Sequence, residues 1–350
     1  MTCRDSLRYT YASTRRVPRS YCFFPFRKSK DCSLVMRESI EKYAERQARR
    51  RFRRKKYTVA PARVRARLSR IENAKAVLWD VYGTLLAVAF GDIESSLARK
   101  ETMRDAFRLT AREFGIESFL GADPADALRE MYIQEIEKTH RRKRSHGVFS
   151  PEVRIEETWL RVLRKLESRG YRPISAPGEV TLDLAYRIAY FFDDVYHAKV
   201  LYAGARYTLA GIRKLGLKQG IISNAQFYTP IALRLLLQKP GNRRTNPLKE
   251  LFDERLIFFS YDLGVSKPNP LAFELARDRL KRTRIEPASV LYVGNDMCND
   301  MVPARAVGFK CVLFAGDRES LTLRQNRPEC VDFEPDAVIK ALPDLLKVIQ

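Results

Sequence analysis

The stretch Ala74-Lys75-Ala76-Val77-Leu78-Trp79-Asp80-Val81-Tyr82-Gly83-Thr84-Leu85 decides how this chain is read, because an apolar run of strand length ends in an ionisable acid. Such a run suits a strand covered on both faces, as in a parallel sheet, although a buried helix has the same apolar content. Comparable runs follow at 220–222, 256–259, 290–293 and 310–314, with segments of helical spacing at 201–215, 230–237, 270–280 and 301–307. The alternation predicts an α/β fold, a doubly wound parallel sheet.

Between the first and second strands lie about 140 residues, far more than a βαβ crossover needs. Residues 92–114, 124–144, 151–168 and 180–195 have helical spacing, so the interval reads as a helical cap inserted into the sheet domain. Gly204 and Gly216 bracket the helix that brings the chain back. The expected division is a basic N-terminal extension over 1–73, partly disordered; a core of 74–86 with 201–350; and a cap over 87–200.

A chain of 350 residues with 45% hydrophobic residues can bury a sizeable core, which excludes fibrous and wholly disordered classes. The net charge is +23, yet residues 1–74 alone carry 22 Lys/Arg against 6 Asp/Glu. The extension should hold a helix over 37–56, a break near Pro61 and a short helical piece ending near Arg70. Its run Arg49 to Lys56 offers contacts to nucleic-acid phosphates, or simply a solvated basic surface. No apolar stretch is long enough for a membrane span, and a cytoplasmic setting is expected. Residues 1–30, with eight Arg/Lys and one acid, share the balance of an organelle transit peptide, and Met36 is an alternative start of translation. The six cysteines show no metal-binding spacing and are expected as reduced thiols.

Three of the predicted strands end in polar residues: Asp80, Ser223 and, two residues after Val293, Asp296. In open α/β sheets ligands bind outside the carboxyl ends of strands, so these residues should share one crevice. Lys267, in Gly264-Val265-Ser266-Lys267-Pro268-Asn269-Pro270, adds an ammonium. Two carboxylates beside one ammonium ask for a further cation or an anionic substrate.

These residues resemble the haloacid dehalogenase (HAD) superfamily over roughly residues 74–350. Asp80-Val81-Tyr82-Gly83-Thr84-Leu85 is similar to its first motif, Ser223-Asn224 to the second, Lys267-Pro268 to the third and Gly294-Asn295-Asp296-Met297-Cys298-Asn299-Asp300 to the acidic fourth. The resemblance implies a HAD-like Rossmannoid core with a C1-type helical cap, and Asp80 as a nucleophile that forms a covalent ester. It further implies Mg²⁺ held by Asp80, the Tyr82 carbonyl, Asp296 and Asp300, with Asp300 holding a metal-bound water or else orienting Lys267, and Lys267, Ser223, Thr84 and Asn224 gripping the substrate. The function it implies is a Mg²⁺-dependent phosphatase acting on a small anionic metabolite. The bland reading of Asp296 and Asp300 is that they cap the helix beginning near Met301.

One departure redirects the chemistry. Phosphatases of this superfamily usually carry a second aspartate two residues after the nucleophile, and Tyr82 stands there. Using a tyrosine as a base near pH 7 costs on the order of 4 kcal/mol of ionisation. The superfamily's 2-haloacid dehalogenases also place tyrosine at this position, and a departing halide needs no proton. Asn295 stands where many relatives have the first acid of the fourth motif. A dehalogenase is therefore the alternative, and a catalytically weak scaffold with a nucleic-acid-binding extension is a third reading.

The three histidines, His140, His146 and His197, fall in or beside the expected cap, which argues against a histidine-based triad. The basic residues between His140 and His146 suit a solvated helix end, or an anionic substrate at the cap mouth. Trp159, Tyr190, Phe191 and Phe192 suit packing, and Cys298 a small filler position.

Overall fold

Val77 and Trp79 pack into one apolar cluster while Ala76 and Leu78 pack into another, so the first strand, β1 (Ala76–Trp79), is buried on both faces. The computed structural model describes residues 40–47, 59–89, 96–173, 178–238 and 245–349. The main sheet has six strands in the order β5-β4-β1-β6-β7-β8 and is parallel throughout. Its members are β4 (Lys218–Ser223), β5 (Ile257–Phe259), β6 (Val290–Gly294), β7 (Lys310–Phe314) and β8 (Ala337–Ile339). The period of two runs through all of them: Ile221, Val293 and Phe314 face with Trp79, whereas Ile222, Tyr292 and Leu313 face with Leu78. The doubly wound parallel sheet expected from the apolar runs is thus the observed fold. The chain leaves β1 for β4 and β5 on one side and returns to β6, β7 and β8 on the other, which makes the end of β1 a topological switch point.

A second, two-stranded antiparallel sheet pairs β2 (Leu86–Ala89) with β3 (Ala198–Leu201) in the register Leu86↔Leu201 to Ala89↔Ala198. With the helical turns at 40–47 counted as α1, the long insert that these strands flank contains α2 (Ser96–Glu113), α3 (Pro124–Ser145), α4 (Ile155–Glu167) and α5 (Leu182–Tyr196). The helices share an apolar cluster of their own that includes Phe107, Leu128, Trp159, Ile188, Tyr190 and Phe192. Trp159, Tyr190 and Phe192 therefore do the packing expected of them, and Phe191 is buried edge-on against Phe114 at 5.5 Å. Local chemistry fixes the helix starts: Asp123 caps α3 through the amide of Asp126, and Thr181 caps α5 through that of Leu184.

Three boundaries differ from the sequence reading. The helix expected over 201–215 begins at Ala205, because residues 198–201 are drawn into pairing with β2. The helix expected from 151 begins at Ile155, because Pro151 bridges antiparallel to Val265 and Glu152 donates its amide to Gly264. The short helical piece before Arg70 is absent; residues 59–73 run along the sheet edge, where Arg67 bridges Val338 of β8.

Part of the basic segment is integral to the packing. Ala62 and Ile71 are buried, and the amides and carbonyls of Arg67 and Val338 pair in both directions. This covers an edge strand that would otherwise be open to intermolecular pairing. The helical turns at 40–47 pack Ile40, Tyr43 and Ala44 onto the insert's cluster, with Arg234 reaching Glu45 at 3.1 Å. The remainder of the helix expected over 37–56, the basic run 49–56, Met36 and the transit-like residues 1–30 lie outside the described residues. Among the described residues no helix is long and apolar enough to cross a membrane.

Because Ile71 is 6% exposed and belongs to the sheet's own cluster, Ile71→Ala should lower the unfolding free energy by about 2–5 kcal/mol in urea titration. A loss under roughly 0.5 kcal/mol, the level of an ordinary surface substitution, would detach residues 59–73 from the core.

Candidate active site

Asp80 follows the last residue of β1, and its amide bonds to the carbonyl of Val293 on β6 at 2.9 Å. On the other side of β1, Ser223 ends β4, and Lys267 arrives on the loop after β5. These three and Asp300, from the turn after β6, meet at one end of the sheet and are all buried. Lys267 Nζ donates to Asp80 Oδ1 at 2.7 Å and to Asp300 Oδ1 at 2.5 Å. It also lies 3.1 Å from the hydroxyl of Tyr292, which sits 3.0 Å from both the carbonyl of Ile222 and Asp300 Oδ1, with one proton to share between them. The other oxygen of Asp300 accepts the amides of Asn295 and Asp296, both at 3.0 Å.

Lys267 is held by its backbone as well as its charge. The Asn224 side chain accepts from the Lys267 amide at 2.7 Å and donates to its carbonyl at 3.2 Å, across a loop whose Lys267–Pro268 peptide is cis. Asn224, expected to touch substrate, thus spends its amide positioning the lysine. Thr84, with the same expectation, is fully buried and donates to Asn295 Oδ1 at 3.0 Å. The reason lies in Gly83, whose φ of 84° turns the chain tightly and whose missing Cβ would sit 2.4 Å from Asn295 Nδ2.

The hydroxyl of Tyr82, two residues after Asp80, pairs with Thr229 Oγ1 at 2.8 Å. Desolvation, reinforced by the charge of Asp193, pushes this hydroxyl well above its ordinary pKa, with the Thr229 bond opposing. The hydroxyl therefore stays protonated near neutrality, in contact with Thr229.

The four-ligand set expected for Mg²⁺ is not assembled. Asp296 turns to Arg324, which meets it with Nε at 2.8 and 3.1 Å and Nη2 at 2.6 Å, while its carboxylate also caps the turn through the amides of Cys298 and Asn299. Asp296 thus caps the turn Met297–Met301, whereas the helix that follows, Val302–Ala306, has no side-chain cap from Asp296 or Asp300. Asp300 is saturated by Lys267, Tyr292 and two amides, leaving Asp80 as the acid with an oxygen to offer. Among the described residues no three His, Cys, Asp or Glu side chains converge as a metal site. Mg²⁺ does not fit this arrangement of donors.

Two contributors had weak or no sequence signal. Tyr292 sits in an apolar run, where a buried hydroxyl implies a partner without naming it. Arg324 is an arginine in a polar loop, and nothing local marks it. The expected filler role of Cys298 agrees with its surroundings, since burial pushes its thiol up to about 11. Of the basic residues before His146, Lys143 bonds the carbonyls of Glu152 and Gly264, while Arg141, Arg142 and Arg144 are exposed.

Electrostatics at the centre follow from burial and pairing. Burial pushes the Asp80 carboxyl from its ordinary 3.8 up to about 6; Lys267 opposes that rise, Asp300 adds to it, and hydrogen bonds from Lys267 and Ser223 oppose it. Burial disfavours the Lys267 ammonium, yet Asp300 and Asp80 outweigh it and hold its pKa above the ordinary lysine value. The folded state binds the Asp80 proton more tightly than the unfolded chain does. Its contribution to stability is therefore present below 3.8 and lost as pH rises through about 6, while the reactive carboxylate is lost as pH falls through the same value. The rate kcat/KM should show an acid limb near pH 6, and Lys267→Met should move it to higher pH. A limb that stays put or moves down in that variant would contradict the pairing.

Comparison with known proteins agrees with this geometry. Residues 74–308 match the haloacid dehalogenase-like hydrolase family. Mouse haloacid dehalogenase-like hydrolase domain-containing protein 3 is 35% identical over 113 residues, 32% of this chain and 39% of the mouse protein. The glyceraldehyde 3-phosphate phosphatase of Pyrococcus furiosus is 32% identical over 153 residues, 42% of this chain and 53% of that protein. These alignments span about half or less of each relative. A crystal structure of 2-haloacid dehalogenase from Pseudomonas syringae pv. Tomato is similar at 22% identity and a TM-score of 0.47, covering 79% of this chain and 97% of that one. With the family match over 74–308 and a sheet whose strand ends gather Asp80, Ser223, Lys267 and Asp300, this chain belongs to the haloacid dehalogenase-like hydrolase family.

Proposed function

We propose that the chain hydrolyses a small phosphorylated metabolite through a transient ester on Asp80. The observation that carries this reading is the Asp80–Lys267 contact at 2.7 Å on a strand end where Ser223 also converges. An Asp80 oxygen attacks phosphorus, the bond to the leaving oxygen breaks, and the electron pair departs with the leaving group. Water then attacks phosphorus, phosphate leaves, and Asp80 is released as a carboxylate. Lys267 offsets part of the negative charge in both steps. The phosphate half of the reading is supported by the likeness to the Pyrococcus phosphatase.

Tyr82 narrows the substrate. With no acid at that position the leaving group must depart unprotonated, which favours acyl, enol or aryl phosphates over alkyl phosphates. The magnesium ion expected from the sequence is not part of the proposal, because the acids that would hold it are paired elsewhere. That same observation, with Tyr82, favours a second reading: displacement of halide from a 2-haloacid, where the leaving group needs no proton. The proposal also keeps the division into a core of 74–86 with 201–350 and a cap over 87–200, supported by the separate apolar cluster of the insert and by the β2–β3 pair at its base.

The deciding assay is a panel of phosphoesters and 2-haloacids, run with and without Mg²⁺. Phosphate release from acyl or aryl phosphates, abolished in Asp80→Asn, is expected; halide release without phosphate release would establish the second reading. Tyr82→Phe should keep the rate within about threefold of wild type, because its hydroxyl transfers no proton. A fall of about 10² or more, the size of a lost general acid, would make Tyr82 the proton carrier.

A further inference from the structure

The fourth motif ends with its oxygens fully subscribed. Asp296 Oδ1 accepts from Arg324 Nε and from the amides of Cys298 and Asn299, and Oδ2 accepts from Arg324 Nη2 and Asn299 Nδ2. A carboxylate has about four lone-pair positions, so no room is left for a metal bond. Asn295 offers an amide oxygen instead of a carboxylate, and Thr84 already donates to it. Its Nδ2 donates to the carbonyl of Ser320 at 2.6 Å, which pins the side chain from the other end. Asp300 receives Lys267, Tyr292 and two backbone amides.

Arg324 is delivered to this place by a built element. The loop after β7 crosses the motif so that Asp296 and Thr322 form a parallel bridge: the Thr322 amide donates to Asn295 O at 3.0 Å and the Met297 amide to Thr322 O at 2.9 Å. Arg324 takes a left-handed φ of 49°, a conformation a non-glycine residue adopts at a cost, and its guanidinium then meets Asp296 with two nitrogens. Mg²⁺ demands near-ideal octahedral geometry and at least one carboxylate, and cannot share these oxygens.

We infer that Arg324 is the resident cation of the acidic loop 294–300, closing it to divalent metals, so that Asp80 works with the charge of Lys267 and no bound ion. The last clause rests on Asp80 being the nucleophile; the exclusion of metal stands on the contacts alone. Two consequences separate this from a metal site awaiting its ion. The wild-type chain binds divalent cations weakly, and removing the guanidinium creates a site where none existed.

The test is Mn²⁺ binding to the full chain, followed by electron paramagnetic resonance of the free ion, which needs no substrate. Wild type should bind no tighter than on the order of 1 mM, the weak end for oxygen-ligand sites. Arg324→Ala should bind at least about tenfold tighter, since it frees a buried carboxylate, and adding Asp296→Asn should cancel the gain. Micromolar binding by wild type that Asp296→Asn abolishes would overturn the inference, as would an Arg324→Ala variant, folded by urea titration, with unchanged affinity. Should Arg324→Ala not fold, Arg324→Gln takes its place and the wild-type measurement still decides. If every substrate fails in the assay above, the proposed function falls while the Mn²⁺ result remains readable.

Discussion

A single ammonium, that of Lys267, lies 8% exposed between the carboxylates of Asp80 and Asp300, and the rest of the site is arranged around keeping it there. Removing a charge from water is costly, and attraction repays that cost only when geometry is good and the remaining donors and acceptors are satisfied. Here Tyr292 and the Ile222 carbonyl supply further partners, Asn224 grips the lysine's backbone, and two amides orient Asp300. Lys267, on the loop after β5, thereby ties that loop to the ends of β1, β4 and β6. Deleting one partner of such a buried set typically costs about 3–5 kcal/mol, so the contacts that hold Asp80 beside Lys267 also stabilise this end of the sheet.

Charge accounting then limits the chemistry. Asp80 and Asp300 outnumber the ammonium between them, and the third acid of the region is neutralised by Arg324 within its own loop. The site therefore balances itself almost entirely from side chains, with desolvation moving Asp80 towards neutrality at mildly acid pH. Tyr82 fits the same economy: its hydroxyl is spent on Thr229, far from the exchange of protons that a carboxylate at that position would perform.

The insert and the N-terminal segment show how the same residues serve packing first. The aromatic residues of α4 and α5 build a separate apolar cluster, joined by Phe227 and Ile231 from the helix Tyr228–Leu237 that follows Ser223 and Asn224. The insert is thus packed against the helix that follows the second motif. Residues 59–73, read from composition as part of a basic tail, instead seal the edge of β8, because an exposed row of amides and carbonyls is satisfied there at little cost.

By itself the sequence determined the parallel sheet and the place of the reactive centre, since strands buried on both faces must be apolar throughout and the polar residue that ends each one is conspicuous. Asp80 and Ser223 were legible for that reason, Lys267 and Asp300 through the motifs that hold them, and the structure brings the four together. The short pair β2–β3, the strand β8 and the start of the helix at Ala205 were not, because three- and four-residue strands carry too little pattern to compete with neighbouring helical spacing. Nor was the fate of Asp296, Asn224 and Thr84. Hydrogen-bond partners are chosen by distance in space, and Arg324 lies 28 residues along the chain from the carboxylate it holds, at a separation no local pattern encodes. Which acids exist is written in the chain; which of them remain available to an ion or a substrate is decided only when tertiary contacts have taken their share of the oxygens.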